Sequence, residues 1–452
     1  MSTGISPSIS ASVTDHVTTC PDGAVTVTAT VPRGAALKLD GEALKSGRSV
    51  TTVKLAEGQR FTLKFGSGRS ALLHSVRCLP ADFPKFTVRG TLPFVAPFLA
   101  ASVPTLVGKP SPYAFVLDAH GVPIWWKGVP GDSVLDVKPV SGGRIGFWHG
   151  RLVGQGTDAP FSVYKLDGSL DRAINVQDGG GDAHDSIETP RGTWYRIASR
   201  VRDHVNTTSI SGPLDQPVLD NVIQEINSDG QVIWEWSALD HIALSESSDW
   251  AWILLAINPV GQALDLIHMN SLNEDSQGNL VVSCRHLNAV FHINKADGSV
   301  DWKLGGTQTA KSLAVIGDDS NPVHLMGQHD ANVLPDGSIS VYDNGAGPTQ
   351  RASRALRWRV NTAVRTAKLM ERVTDPGVGT TPGTGSARKL SDGSWLMSWA
   401  GSSLIRSYTP AGKLRFDLKF AGRGLTYRAA PIKTSQISHA QFVAGMDAQF
   451  PR

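Results

Sequence analysis

Gln224-Glu225-Ile226-Asn227-Ser228-Asp229-Gly230-Gln231-Val232-Ile233-Trp234-Glu235-Trp236 reads as a strand, a glycine-bearing turn and a return strand that ends in tryptophan. The pattern comes back as Phe115-Val116-Leu117-Asp118-Ala119-His120-Gly121-Val122-Pro123-Ile124-Trp125-Trp126 and as Val290-Phe291-His292-Ile293-Asn294-Lys295-Ala296-Asp297-Gly298-Ser299-Val300-Asp301-Trp302. A second kind of hairpin alternates with it, opening on a polar residue and closing on another strand, at 184–200, 268–285, 329–344 and, more faintly, 386–399. Two such hairpins make one four-stranded sheet. Repetition in this paired order predicts an all-β fold, a six-bladed β-propeller around a central channel. A large β-sandwich is the competing architecture, but it gives no reason for hairpins to alternate in kind.

Working outward, residues 1–90 alternate polar and apolar positions, as in Val25-Thr26-Val27-Thr28-Ala29-Thr30-Val31, with turn signals at Asp22-Gly23, Asp40-Gly41 and Glu57-Gly58. This predicts a small N-terminal β-sandwich. The proline-rich stretch 91–111 reads as a linker or bracing loop, and 112–452 as the propeller. Residues 241–266 break the strand period. Asp249-Trp250-Ala251-Trp252-Ile253 followed by Asn258-Pro259 predicts an inserted short helix and loop, placed just before His268 at the mouth of the channel.

Composition narrows the function classes. Basic and acidic side chains, 43 against 40, leave a net charge of +3 and are scattered along the chain. No basic patch or tail marks a nucleic-acid binder. No apolar run reaches the ~20 residues of a membrane span. The N-terminus shows no basic segment followed by an apolar stretch, so a cytoplasmic location stays open beside an exported one. Of three cysteines, Cys20 and Cys78 bracket the first domain; a bridge and a pair of free thiols are equally compatible with the sequence. Cys284, in an apolar strand, is expected to fill core. Oligomeric state is not readable.

Counting back from the hairpin turns gives the register. It places His268 opposite Arg285, His329 opposite Asn344 beside Asp343, and His184 opposite the region of Arg200. If these strands are innermost, three histidines and one or two arginines from three sheets meet at one channel mouth. A lone histidine there is more often a hydrogen-bonded strand end; three at one repeat-equivalent position make a site. Three imidazoles suit zinc, yet an arginine beside them opposes a cation, so no metal is expected. Arginine with histidines suits an anion with three oxygens, phosphate or sulfate. Imidazole supplies a nucleophile and a proton donor. No nucleotide-binding motif and no cofactor is indicated.

At these residues the sequence resembles the bacterial arylsulfotransferases, which move sulfate between phenols without a nucleotide donor. The resemblance rests on His268-Met269-Asn270-Ser271-Leu272, Ser283-Cys284-Arg285-His286-Leu287-Asn288, Gly298-Ser299-Val300-Asp301-Trp302-Lys303-Leu304-Gly305-Gly306, Gln328-His329-Asp330-Ala331, Leu334-Pro335-Asp336-Gly337 and Asp343-Asn344-Gly345. It implies a six-bladed propeller after a small sandwich, and a ping-pong reaction through a sulfated histidine. That histidine would be His329. His184, His268 and Arg285 would bind the sulfuryl oxygens and assist the leaving phenolate, with Asn270 beside them; the register adds Arg200 and Asn344, and the insertion Trp250, as expected substrate contacts. The partners implied are an aryl sulfate and a phenol. Strand alternation turns His286 and Asp330 away from the substrate. Trp250, Trp252, Trp148 or Tyr427 are candidates to wall the aromatic acceptor. Relatives are exported, and the better-known ones carry more sequence between the histidine motifs, implying a rebuilt pocket. A relative with the same His/Arg set hydrolysing or rearranging an aromatic compound, and a non-catalytic anion-binding propeller, are the alternatives.

Overall fold

The computed structural model describes residues 4–103, 113–151, 159–257, 262–320, 323–422 and 425–452, without the side chains of 248 and 249. The expected Asn258-Pro259 loop and the 104–112 part of the bracing stretch lie outside these residues. Beyond the N-terminal unit, the described residues form six sheets of four or five strands that follow one another along the chain. Their innermost strands are Ala429–Ile432, Ser133–Val140, Gly180–Glu188, Met269–Glu274, His329–Val333 and Ser386–Lys389. Each touches the next and the last touches the first, so the circuit is closed, as a propeller requires.

Closure is made by both ends of the propeller sequence. Ala429–Ile432 pairs antiparallel with Phe98–Ser102 and becomes the inner strand of the first sheet. Phe86–Gly90 pairs with Leu414–Phe420 as the outer edge of the last. The propeller's sheets therefore draw two strands from ahead of residue 112.

Outer hairpins carry the tryptophans because these reach the neighbouring sheet. Trp236 Nε1 donates to the Gly298 carbonyl at 2.8 Å and Trp125 Nε1 to that of Leu166 at 2.9 Å. Each ring fills the wedge between sheets and still satisfies its polar edge.

The N-terminal residues form a five-stranded and a two-stranded sheet around Val25, Val53, Phe61, Leu63 and Val76. Cys20 and Cys78 are bridged, while Cys284 is free and buried. The terminal helix His439–Gln449 ties this unit to the propeller: its Asp447 carboxylate accepts from Arg60 (2.7 Å) and Arg77 (2.8 Å). Replacing both bridged cysteines with serine is expected to destabilise the small unit by about 4 kcal/mol, the chain entropy of a 58-residue loop. Denaturant unfolding of the variant against the oxidised protein measures it.

The inserted segment does fold as expected into short turns and the helix Ser248–Ile257. It packs on the turn Arg285–Leu287, and Lys303, buried, pairs with Glu246 to hold it down.

Candidate active site

The inner strands do not run regularly to their ends. Register shifts interrupt Ser133–Val140 after Leu135, Gly180–Glu188 after Gly181, Met269–Glu274 after Met269 and His329–Val333 after His329. Asp136, His268 and Asp330 have φ of 54°, 52° and 56°, left-handed values uncommon for residues with a Cβ. Such bulges re-aim side chains, and here they turn consecutive residues toward the channel.

Three histidines meet there. The His184 ring centroid lies 4.8 Å from that of His268 and 5.9 Å from that of His329. The convergence expected of His184, His268 and His329 is thus present. His268 also faces Arg285, whose backbone N–H donates to the His268 carbonyl at 2.9 Å. The other register expectations need correction. His329 pairs with Tyr342, not Asn344, because the turn after Val333 is longer than assumed and a bulge follows. His184 sits within a bulge level with 196–198, not opposite Arg200.

Each ring is held by its Nδ1. Asp182 accepts from His184 at 2.7 Å, and Asp265 contacts His268 Nδ1. A carboxylate on one ring nitrogen fixes the tautomer and aims Nε2 at the channel. Burial opposes charge on His184, but Asp182 outweighs it and raises the imidazole above its ordinary range. The Asp182 and Asp265 carboxyls stay ionised against burial because a histidine faces each.

His329 differs. Its Nδ1 donates to the Gly385 carbonyl at 2.8 Å, so the neutral ring carries its lone pair on Nε2. That Nε2 is buried with no hydrogen-bond partner among the described residues. Burial first, then Arg428 and His184, hold this imidazole well below its usual range. Gly385 can supply its carbonyl only as glycine: φ is 94°, and a Cβ would lie 2.4 Å from the Tyr342 ring.

Arg285 lies at the mouth, its guanidinium carbon 4.4 Å above the Trp250 ring, and donates to the Pro382 carbonyl at 2.7 Å. It makes no ion pair among the described residues, and burial pushes it down to about 10. Trp250 donates to Asn288 and packs on His286 at 5.0 Å, which packs on His268 at 4.5 Å. His286 belongs to a turn rather than a strand, so alternation does not turn it away. Burial and His268 hold it down to about 3. Asp265, His268 and His286 bring donor atoms within 4.8 Å of one another, a set open to a divalent cation, although Asp265 is already engaged by both rings.

Asn270 donates to the Gln328 carbonyl at 2.8 Å, steadying the residue before His329, and its Oδ1 is buried without a partner. The Asn344 amide nitrogen donates to Thr381 and Thr384, bracing the loop that carries Gly385, and its Oδ1 is buried without a partner among the described residues. Arg200 leaves the group altogether, paired with Glu235 at 2.5 Å. Trp252 is 61 % exposed, and Trp148 lies in the core beside Phe161. Tyr427 meets His329 edge-on at 5.4 Å and donates to the His184 carbonyl at 2.8 Å.

Asp182, Asp265 and Arg428 are absent from the sequence-based set. The first two had a signal: a carboxylate two residues ahead of His184 and three ahead of His268. Arg428 had none. Asp330, adjacent to His329, faces Arg428 instead of the substrate side, at 3.2 Å. A groove of about 820 Å³ at the opposite ends of the strands, lined by Asp275, His292, Asp301 and Trp302, shares none of these residues.

Comparison with known proteins follows the same lines. None of the curated proteins matches the chain. Among solved structures, a protein of unknown function from Bacteroides caccae is similar at 12% identity over 75% of this chain and 99% of its own, with a TM-score of 0.46. Virginiamycin B lyase from Staphylococcus aureus is similar at 8% identity over 76% of this chain and 98% of its own, with a TM-score of 0.39. At these values they add nothing to the fold already read from the chain's own sheets. The profile of the arylsulfotransferase (ASST) family matches residues 141–421, a span that holds His184, His268, Arg285 and His329. More than half of the chain is covered, and the chain belongs to the arylsulfotransferase family.

Proposed function

We propose that this protein transfers a sulfuryl group from an aryl sulfate to a phenol by way of a sulfated His329. The observation that carries the reading is the state of the His329 ring: Nδ1 tied to a carbonyl, Nε2 buried, unpartnered and neutral. Such a nitrogen is a ready nucleophile.

The Nε2 lone pair attacks sulfur, the bond from sulfur to the aryl oxygen breaks, and the departing phenolate takes the His184 proton. His184 suits that role because the Asp182 carboxylate favours the charged form of its imidazole and raises its pKa. Environments that push two nearby rings apart mark one as acid and the other as nucleophile. Arg285 and His268 supply donors to the sulfuryl oxygens, where charge spreads in the transition state. In the second half, a phenol oxygen attacks sulfur, its proton returns to His184, and the bond from sulfur to His329 breaks.

Incubating the protein with a chromogenic aryl sulfate, with and without phenol, tests this. A single sulfo adduct on the intact protein is expected, discharged by phenol with acceleration of chromophore release. Release with no adduct and no response to phenol would replace transfer by hydrolysis.

A further inference from the structure

Arg428 lies just ahead of the inner strand Ala429–Ile432 and is buried. Its guanidinium meets carboxylates from three other sheets: Asp136 at 2.8 Å, Asp185 at 3.2 Å and Asp330 at 3.2 Å. It also donates to the Asn270 carbonyl at 2.6 Å, from a fourth. Lys138 bridges Asp136 (2.6 Å) and Asp185 (2.7 Å), and Arg388 takes Asp330 at 2.6 Å. Three cations therefore balance three anions across the channel. Burial opposes the charge on Arg428, and Asp185, Tyr427 and Asp136 more than offset it, so the guanidinium stays charged.

One aromatic ring, that of Tyr427, lies between that fixed charge and the nucleophile. The Arg428 guanidinium carbon is 5.2 Å from the centre of the Tyr427 ring, and the same ring meets His329 at 5.4 Å. Asp330 joins the two a second way, as Arg428's partner and His329's neighbour in sequence. The groups facing His329 are His184, His268, Tyr427, Arg428 and the Gly385 carbonyl. Its own sequence neighbour Asp330 is committed to two arginines. No carboxylate makes a hydrogen bond or ion pair with the His329 ring among the described residues, unlike those of His184 and His268. A protonated His329 would face the Arg428 guanidinium without a carboxylate of its own to offset it.

We propose that Arg428 is the positioning residue of this site, a permanently charged guanidinium clamped across the channel that keeps His329 unprotonated and its Nε2 lone pair free. A balanced network that merely filled the channel would need no cation beside the one unpaired imidazole. The catalytic meaning of this role rests on the transfer reading, but its test does not.

The measurement is a pH titration of the ring nitrogens by two-bond proton–nitrogen spectra, on protein labelled with nitrogen-15 at histidine. The His329 signals are identified by their loss in His329→Asn. In the natural protein they are expected to report the neutral Nδ1–H form down to the lowest pH at which the fold survives. In Arg428→Met the ring should titrate with a midpoint higher by about one to three units, the effect of removing one nearby like charge. Arg428→Lys, which keeps the charge, should behave as the natural protein. If Arg428→Met does not fold, Arg428→Met with Asp136→Asn removes one cation and one anion together and should give the same upward shift. An unchanged His329 titration in the folded variant would overturn the proposal. Aryl sulfate turnover against pH is the second readout: its acid limb should move upward in the variant. A natural protein that turns over no aryl sulfate would defeat the transfer reading and leave the titration to decide the role of Arg428.

Discussion

Asparagine at position 329 is expected to cut aryl sulfate turnover by on the order of 10⁴-fold or more, the usual result of deleting a covalent nucleophile. The choice of asparagine matters. Its amide nitrogen occupies the place of the imidazole Nδ1 and retains the bond to the Gly385 carbonyl, now 2.8 Å long. What is lost is Nε2 alone. Arg285, His268 and His184 remain to bind the sulfate, so KM should move little while kcat collapses. The sulfo adduct should vanish with it. Turnover within tenfold of the natural protein, or a persisting adduct on the intact mass, would remove His329 from the reaction.

The second large effect is expected at Asp182. Asp182→Asn leaves a partner of the same shape beside His184 Nδ1 but withdraws the charge that favours the protonated imidazole. An asparagine carbonyl still accepts from Nδ1, whereas its amide end would force the other tautomer. Either way the acid weakens, and general-acid assistance is typically worth about 10²- to 10⁴-fold. The loss should depend on the leaving group: large for aryl sulfates of weakly acidic phenols, small for a nitrophenyl sulfate whose phenolate leaves unaided. The pH dependence has a definite sign. Transfer needs charged His184, so activity falls as pH rises through its pKa. Asp182 raises that pKa; without it the basic limb moves to lower pH. Equal losses across leaving groups, with an unmoved basic limb, would take the proton-donor role away from His184.

The fold was legible because hairpins of two kinds alternate along the chain, and because tryptophans recur where outer strands meet the next sheet. The three histidines were legible for the same reason, since each stands at the start of the second kind of hairpin in the sequence repeat. What alternation and register counting missed has one physical cause. The inner strands are bulged next to the residues of interest, and a bulge resets both the facing direction and the pairing. His329 therefore meets Tyr342 rather than Asn344, and His286, on a turn, stays beside His268. Arg200 failed for a related reason: its strand, Trp194–Val205, runs well past the bulged end of its partner and carries the guanidinium to Glu235. Arg428 was invisible because it immediately precedes a strand whose sheet is completed from the other end of the propeller sequence, with no hairpin to count from.

That same completion has a bearing on biosynthesis. The rings at 184, 268 and 329 leave the ribosome long before the strand Ala429–Ile432, which brings Tyr427 and Arg428 with it. A nascent polypeptide halted earlier has a first sheet missing its central member and three aspartates, 136, 185 and 330, without their shared counter-ion. Closure of the ring of sheets is thus deferred until synthesis has passed that strand.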